Sequence, residues 1–166
     1  MAEMLLAFDP GGATGWSLWL LDEDNPLQRV EYGLIQGGED GFLDWAEQHL
    51  GQLRPDIIVC ERFNPDLGTG DGRKSYEPML IQGALKAICR ALGIEVIWQD
   101  IGMKSLCRDD VLKRSGLWVE GSDVGWEDGR DVNDSAIHAL AWAKVSDHEP
   151  SVRCYWPEDP ITDYDV

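Results

Sequence analysis

The sequence predicts an α/β domain, in which a three-stranded antiparallel meander is followed by alternating helices and strands. Three observations support this class. Short apolar runs separated by turn residues open the chain, apolar stripes at helical spacing follow them, and 166 residues of 43% hydrophobic composition suit one sizeable core. We place this domain at residues 1–147 and expect residues 148–166 to form an acidic, proline-containing and irregular tail.

The meander is predicted from three segments near the amino terminus. Residues 4–9 are an apolar run that ends at Asp9, and a glycine-rich turn follows it. Residues 15–20, rich in tryptophan and leucine, and residues 29–36 supply the other two strands. A carboxylate at the tip of a strand, beside such a turn, is where α/β proteins commonly hold metals and phosphates. Asp9 is therefore the first candidate site residue.

Beyond the meander, helices alternate with strands. Apolar residues at helical spacing predict four helices, and isoleucine- and valine-containing runs predict two strands, the first of which ends at Glu61. Prolines and glycines between residues 64 and 75 predict a surface loop. The predicted helices cover residues 40–53, 78–92, 108–115 and 131–145, and the predicted strands cover residues 57–61 and 94–98.

Composition argues against several classes of protein. No apolar stretch approaches the roughly 20 residues that cross a bilayer, and the amino terminus lacks the pattern of a signal peptide. We therefore expect no membrane partner and a cytoplasmic location. The four cysteines are widely spaced, which favours reduced thiols over a disulfide or a zinc site.

The distribution of charge bears on nucleic-acid binding. A formal charge of -17 argues against a protein that coats nucleic acid nonspecifically, because uniform negative potential repels phosphate. Residues 73–114 nevertheless contain eight basic residues against five acidic ones. A local basic surface is one interpretation of this segment, and ordinary solvated helix faces are the other.

Acidic residues from distant segments can meet Asp9 if its strand lies beside the strand ending at Glu61 and the last helix packs across both. Asp131, Asp134 and His138 share one face of that helix, because steps of three and four residues return to nearly the same side. Carboxylates so close together need protons or a cation, and oxygen ligands favour Mg²⁺ or Mn²⁺. Two such ions about 4 Å apart can activate water and stabilise the leaving oxygen of a phosphodiester. The alternative is that each acid is only a helix start or a solvated strand end.

Four groups of short motifs occur in a fixed order between residue 4 and about residue 145. They are Phe8-Asp9-Pro10-Gly11 with Thr14-Gly15, Val59-Cys60-Glu61, Ile81-Gln82-Gly83-Ala84 with Gly93-Ile94, and Asp131-Val132-Asn133-Asp134 with Ala139-Leu140-Ala141. In this order they resemble the RNase H-like superfamily and, within it, the RuvC-type Holliday-junction resolvases, especially the divergent versions found in bacteriophages.

This resemblance implies a five-stranded mixed sheet flanked by helices, so that residues 1–147 would be an RNase H-like nuclease domain. It also implies a homodimer and a Mg²⁺-dependent endonuclease that cuts four-way and other branched DNA by paired nicks, with no nucleotide cofactor. If the chain is phage-encoded, the cytoplasm would be that of the bacterial host.

The resemblance also assigns roles to the acids. Asp9, Glu61, Asp131 and Asp134 match the four family acids by position, and Asp9 would bridge two ions while the others hold one each. His138 is a further candidate, because some RNase H-like enzymes use a histidine near the final metal ligand. Whether Asp131, Asp134 or His138 supplies that ligand stays open.

Several residues are candidates for contact with DNA. Phe63 lies close to the position of a stacking aromatic in the family, and Lys104 resembles a basic residue that approaches the scissile phosphate. Loops and helix ends supply further cations, which would hold the DNA backbone without reading its sequence. These further candidates are Arg73, Lys74, Arg108 and Lys113.

Three other functions stay open. A nuclease of the same fold could act on flaps, forks or RNA–DNA hybrids. A nucleotide-binding domain related to actin and sugar kinases also begins with a strand, an acid and a glycine turn, but those folds need two such domains. A DNA-binding or assembly module without catalysis would leave the acidic cluster without a role.

Overall fold

In the computed structural model, which describes residues 3–64, 76–125 and 129–158, five strands form one mixed sheet. The strands are β1 (Glu3–Asp9), β2 (Ala13–Asp22), β3 (Asn25–Gln36), β4 (Ile57–Arg62) and β5 (Glu95–Asp100). Their order is β3-β2-β1-β4-β5, with β1, β2 and β3 antiparallel and β1, β4 and β5 parallel. The predicted fold class is confirmed, and the first strand does lie beside the strand that carries Glu61.

Helices cover both faces of this sheet. No helix among the described residues is long and apolar enough to span a membrane. The described helices are α1 (Gly38–Leu53), α2 (Glu77–Leu92), a 3-10 helix (Ile101–Leu106), α3 (Asp109–Arg114), α4 (Gly121–Val124), α5 (Arg130–Val145) and α6 (Glu149–Tyr155).

Helix α6 corrects the prediction of an irregular tail for residues 149–155, whereas residues 159–166 of the predicted tail lie outside the described residues. Its prolines favoured a loop, but Pro150 lies in the first turn of α6, where a missing N–H group breaks no helical hydrogen bond. Tyr155 and Trp156 are buried in the core, and the Tyr155 hydroxyl donates to the Leu27 carbonyl of β3 at 2.5 Å. Aromatic burial therefore outweighs the proline signal.

Two apolar cores lie on opposite faces of the sheet, because side chains alternate along each strand. Phe8 belongs to the core beneath α1 and α2, whereas Ala7 of β1 and Val59 of β4 belong to the core beneath α5. Asp9 and Glu61 each come two residues after Ala7 and Val59, so their side chains lie on the same face of the sheet as those two residues. Both carboxylates therefore project from the same face, towards α5.

The amino-terminal end of α5 lies directly on β2. A Cβ atom at Gly15 would be 1.9 Å from the carbonyl oxygen of Asp131, so only glycine permits this approach. The buried Asn133 side chain then pairs with both backbone groups of Val119, each at 2.9 Å. These contacts hold the first turns of α5 close to the carboxyl-terminal ends of β1 and β4.

Candidate metal centre

Side chains from three separate segments converge where β1 and β4 end. Asp9 is the last residue of β1, Glu61 is near the end of β4, and Asp134 and His138 come from α5. Ligand atoms of Asp9, Glu61 and His138 all lie within 4.8 Å of one another. These three residues form a group whose size and composition could hold a metal ion.

The ammonium group of Lys104 lies among the carboxylates. Its Nζ atom is 2.6 Å from Glu61 Oε2, 2.9 Å from Asp134 Oδ2 and 3.3 Å from Asp9 Oδ1. Lys104 comes from the 3-10 helix that follows β5, an element that the sequence analysis did not predict. A positive charge is therefore already held at the point where three carboxylates converge.

His138 is fully buried and connects Glu61 to β5. Its Nε2 atom lies 2.9 Å from Glu61 Oε2, and its Nδ1 atom lies 2.7 Å from Gln99 Oε1. Oxygen atoms of Gln99 and Glu61 thus face the two ring nitrogens and fix the orientation of the ring, and a metal ion bound at Nε2 would replace the contact of Nε2 with Glu61. The sequence analysis missed Gln99, whose role becomes visible only because it pairs with Glu61 in the β4–β5 ladder.

Burial and mutual repulsion set the electrostatics of the site. Desolvation raises the pKa of Asp9 well above its usual value; Lys104 offsets part of this rise, whereas Glu61 and Asp134 add to it. Burial also opposes ionisation of Glu61, but hydrogen bonds from His138 and Lys104 outweigh it and lower the pKa of Glu61 to about 2. Asp9 is thus the carboxylate whose charge is least compensated, and an added cation would relieve it.

The three candidates on α5 are placed differently. His138 joins the group of ligand atoms directly, and Asp134 joins the cluster through Lys104. Asp131 is partly exposed in the first turn of the helix and is not part of the group found among the described residues. The spacing correctly predicted that Asp134 and His138 share a helix face, and a role for Asp131 at the site stays a prediction.

A groove of about 730 Å³ opens beside Asp134, between the 3-10 helix, α3 and the start of α5. Three candidates for DNA contact, Lys104, Arg108 and Lys113, line it together with Arg130, which the sequence analysis did not single out. Apolar side chains including Ile101 and Ile137, and the acids Asp109 and Asp110, complete its lining.

The other candidates for DNA contact are not part of this groove. Phe63 lies just beyond β4 and is partly exposed. Arg73 and Lys74 lie outside the described residues. Their proposed contact with DNA stays a prediction from the sequence.

Comparisons with known proteins agree with this architecture. No protein-family model and no curated protein sequence matches the chain. Among solved structures, it is similar to Thermus thermophilus RuvC in complex with a Holliday junction substrate, at 11% identity and a TM-score of 0.62 over 89% of this chain and 97% of that one. A second Thermus thermophilus RuvC structure matches at 11% identity and a TM-score of 0.63, over 86% and 96% of the two chains.

A yeast protein supplies a third match. The yeast mitochondrial Holliday junction resolvase Ydc2 is 14% identical, with a TM-score of 0.58 over 87% of this chain and 79% of that one. At such identities the similarity concerns the fold. This chain has the RNase H-like fold in the form that RuvC-type resolvases share, as its sequence motifs indicate.

Proposed function

We propose that this protein is a metal-dependent, structure-specific endodeoxyribonuclease that resolves four-way and other branched DNA junctions. The observation that carries the proposal is the convergence of Asp9, Glu61, Asp134 and His138 at adjacent strand ends. Their fold is shared with a RuvC that was solved on a Holliday junction substrate.

The donor set fits Mg²⁺, with Mn²⁺ as a possible substitute, because carboxylate oxygens predominate and one imidazole joins them. The three contacts of Lys104 with carboxylates support the ability of these residues to surround a cation. Asp9, Glu61 and His138 would hold one ion, and Asp134 with Asp9 would hold a second. When bound, a pair of such ions supplies a nucleophilic water and stabilises the leaving oxygen of a phosphodiester.

The residues around the carboxylates orient them and contact substrate. Gln99 holds the His138 ring so that Nε2 faces Glu61. Lys104 keeps 23% of its side-chain surface exposed, so its ammonium can turn from the carboxylates to a phosphate oxygen beside the site. Lys104 would thus exchange one set of anionic oxygens for another as DNA and metal bind.

The groove beside Asp134 offers a path for the DNA backbone. Four cations, Lys104, Arg108, Lys113 and Arg130, line this groove of a protein whose formal charge is -17, against three carboxylates, those of Asp109, Asp110 and Asp134. Arg108 pairs with Asp110 at 3.1 Å. Cations on such a surface attract phosphates, and the attraction weakens as salt rises. We propose that the strand containing the scissile phosphate crosses this groove.

Paired nicks require two sites, and α2 offers a surface for a homodimer. Tyr76, Met79, Leu80 and Leu92 expose between 42% and 63% of their surfaces on or beside this helix. A Cβ atom at Gly83 would meet nothing within 4 Å, so a partner helix could approach closely there. Burial of these apolar side chains would stabilise association of two copies.

A cleavage assay tests the proposal. Purified protein and the Asp9→Asn variant are incubated with a labelled four-way junction, a flap and an RNA–DNA hybrid, each with Mg²⁺ or with EDTA. Symmetric Mg²⁺-dependent nicking of the junction by the wild type alone is expected. Preferential cutting of the flap or hybrid would change the substrate assignment, and binding without cleavage in Mg²⁺ or Mn²⁺ would overturn the assignment as an enzyme.

A further inference from the structure

Helix α2 makes hydrogen bonds with the end of β4, which carries Glu61, and with the start of α1, which in turn contacts the turn that follows Asp9. The Gln82 side chain donates a hydrogen bond from Nε2 to the carbonyl oxygen of Glu61 at 3.2 Å. Near the start of the same helix, Glu77 Oε2 accepts a hydrogen bond from the Glu39 amide, in the first turn of α1, at 3.0 Å. Neither Gln82 nor Glu77 belongs to the cluster of possible metal ligands.

The Glu77 contact leads back to the turn that follows Asp9. Helix α1 has no side-chain cap from its own N-cap residue, so the Glu77 carboxylate compensates its free amides and its dipole. The amide of Gly38 donates to the Gly12 carbonyl at 3.2 Å. Gly38 has a positive φ of 60°, which favours glycine, and a Cβ atom there would lie 2.5 Å from Glu77 Oε2 and displace that carboxylate.

Apolar contacts attach α2 to the sheet independently of these polar ones. Ile81, Leu85 and Cys89 are buried in the core between α1, α2 and the sheet. The Gln82 amide is therefore not required to dock the helix. Its hydrogen bond instead restrains the peptide group between Glu61 and Arg62.

We propose that Gln82 is a positioning residue for Glu61, and that Gln82 and Glu77 together make α2 a brace that sets the relative position of the two strand-end carboxylates. This inference rests on the proposed metal-dependent function. Outer groups that orient ligands alter metal affinity typically by 10- to 100-fold, because ligand atoms must hold their geometry before the ion binds.

The test measures Mn²⁺ affinity by isothermal titration calorimetry and cleavage kinetics on a four-way junction. Gln82→Met keeps the length of the side chain and removes the donor. We expect roughly tenfold weaker Mn²⁺ binding and a lower kcat, with an unchanged KM for DNA. Glu77→Ala should weaken Mn²⁺ binding less, because it acts through α1 and the Gly12 turn.

Gln48→Met is the matched control, because it makes the same change at an exposed residue of α1, outside the metal-ligand cluster and outside the proposed dimer surface on α2. It should leave Mn²⁺ affinity and kcat unchanged. Equal Mn²⁺ affinity in wild type and Gln82→Met would overturn the positioning role while leaving the proposed function intact. If the wild type itself neither binds Mn²⁺ nor cleaves the junction, the proposed function fails. Should Gln82→Met not fold, Gln82→Asn tests the same contact with an amide one methylene too short.

Discussion

The two faces of the sheet are both covered by helices, but they bury different kinds of side chain. Under α1 and α2 the core is apolar and includes edge-to-face contact between Phe8 and Phe42 at a centroid distance of 5.6 Å. Under α5, buried polar groups such as Ser17, Gln99 and His138 accompany the apolar residues. Buried polar groups stabilise a fold only when every partner is in place. Both faces therefore contribute an apolar core, and the α5 face adds the buried polar groups that meet at the strand ends.

Adjacent residues of β1 allow the sharpest comparison of the two faces. Asp9→Asn removes a charge from the site on the α5 side, and we expect a 10²- to 10³-fold loss of junction cleavage, typical of losing a group that stabilises transition-state charge. Phe8→Ala opens a cavity on the other side and should cost about 3–5 kcal/mol of folding free energy. Single-turnover cleavage and denaturant unfolding measure the two effects.

This comparison requires that Asp9→Asn affects cleavage and not stability, and that Phe8→Ala affects stability and not cleavage. Asp9→Asn should unfold at a denaturant midpoint no lower than that of the metal-free wild type, because a neutral amide avoids the desolvation that raises the pKa of Asp9. Phe8→Ala, at a temperature where it is folded, should keep most of its cleavage rate. A Phe8→Ala protein that is folded yet inactive would show that the apolar face also controls catalysis.

Helix α5 offers a comparison between a buried candidate ligand, His138, and a partly exposed one, Asp131. His138→Asn removes the imidazole that contacts Glu61 at 2.9 Å, and we expect on the order of a 10²-fold loss of cleavage, comparable to loss of one preorganised polar group. Asp131→Asn should lose less than about tenfold, because Asp131 lies outside the group of ligand atoms. The measurement is kcat on a four-way junction at saturating Mg²⁺. Equal losses in the two variants would contradict this ranking.

The sequence predicted which face of α5 points to the strand ends, but not which turns of the helix lie beside them. Asp131 and His138 are seven residues apart, which at 1.5 Å per residue places them about 10 Å apart along the axis. The two side chains therefore start at different levels along the helix, and His138, not Asp131, is in the group of ligand atoms found among the described residues. The neighbouring α1, α2 and sheet strands were predicted closely, because their apolar periodicity is local and strong.

Other parts of the site depend on contacts between distant segments, which periodicity does not reveal. Lys104 reaches the carboxylates only because a 3-10 helix turns the chain back after β5. Gln99 becomes a partner of His138 through the register of the β4–β5 ladder. Arg130 joins the groove through the packing of α3 beside α5. Short helices and strand registers carry weak sequence signals, so Gln99 and Arg130 were not singled out in advance. Lys104 was singled out through its resemblance to a basic residue that approaches the scissile phosphate, but its contacts with the carboxylates were not predicted.

Mg²⁺ should raise the Tm of the protein by binding to the carboxylates on the α5 side of the sheet. Metal bound only by the folded state contributes about 2.7 kcal/mol at a hundredfold excess over Kd, or very roughly 5–10 °C in Tm for a chain of this size. Phe8→Ala should show the same increase from a lower starting Tm, whereas Asp9→Asn should show little or none. Differential scanning calorimetry with Mg²⁺ or EDTA measures these shifts. A Tm increase of equal size in Asp9→Asn would place the stabilising ion elsewhere.

The smallest expected effect is on the pH dependence of the free energy of unfolding, because the pKa values of Glu61 and Asp9 are shifted in opposite directions. Glu61 has a pKa lowered from 4.5 to about 2, so its contribution to stability is present above pH 4.5 and is lost as pH falls towards 2. Asp9 has a raised pKa, so ionising it costs stability as pH rises above its unfolded-state value. In metal-free protein the two slopes partly cancel. Glu61→Gln removes the first contribution and reduces the second, because Glu61 adds to the raised pKa of Asp9, but desolvation, the largest cause of that rise, remains. The free energy of unfolding of Glu61→Gln should therefore fall less than that of the wild type, by on the order of 1 kcal/mol, between pH 5 and pH 3. Urea unfolding at fixed ionic strength measures this slope, and a wild type that loses no more stability than Glu61→Gln over that range would mean that His138 and Lys104 do not hold Glu61 ionised.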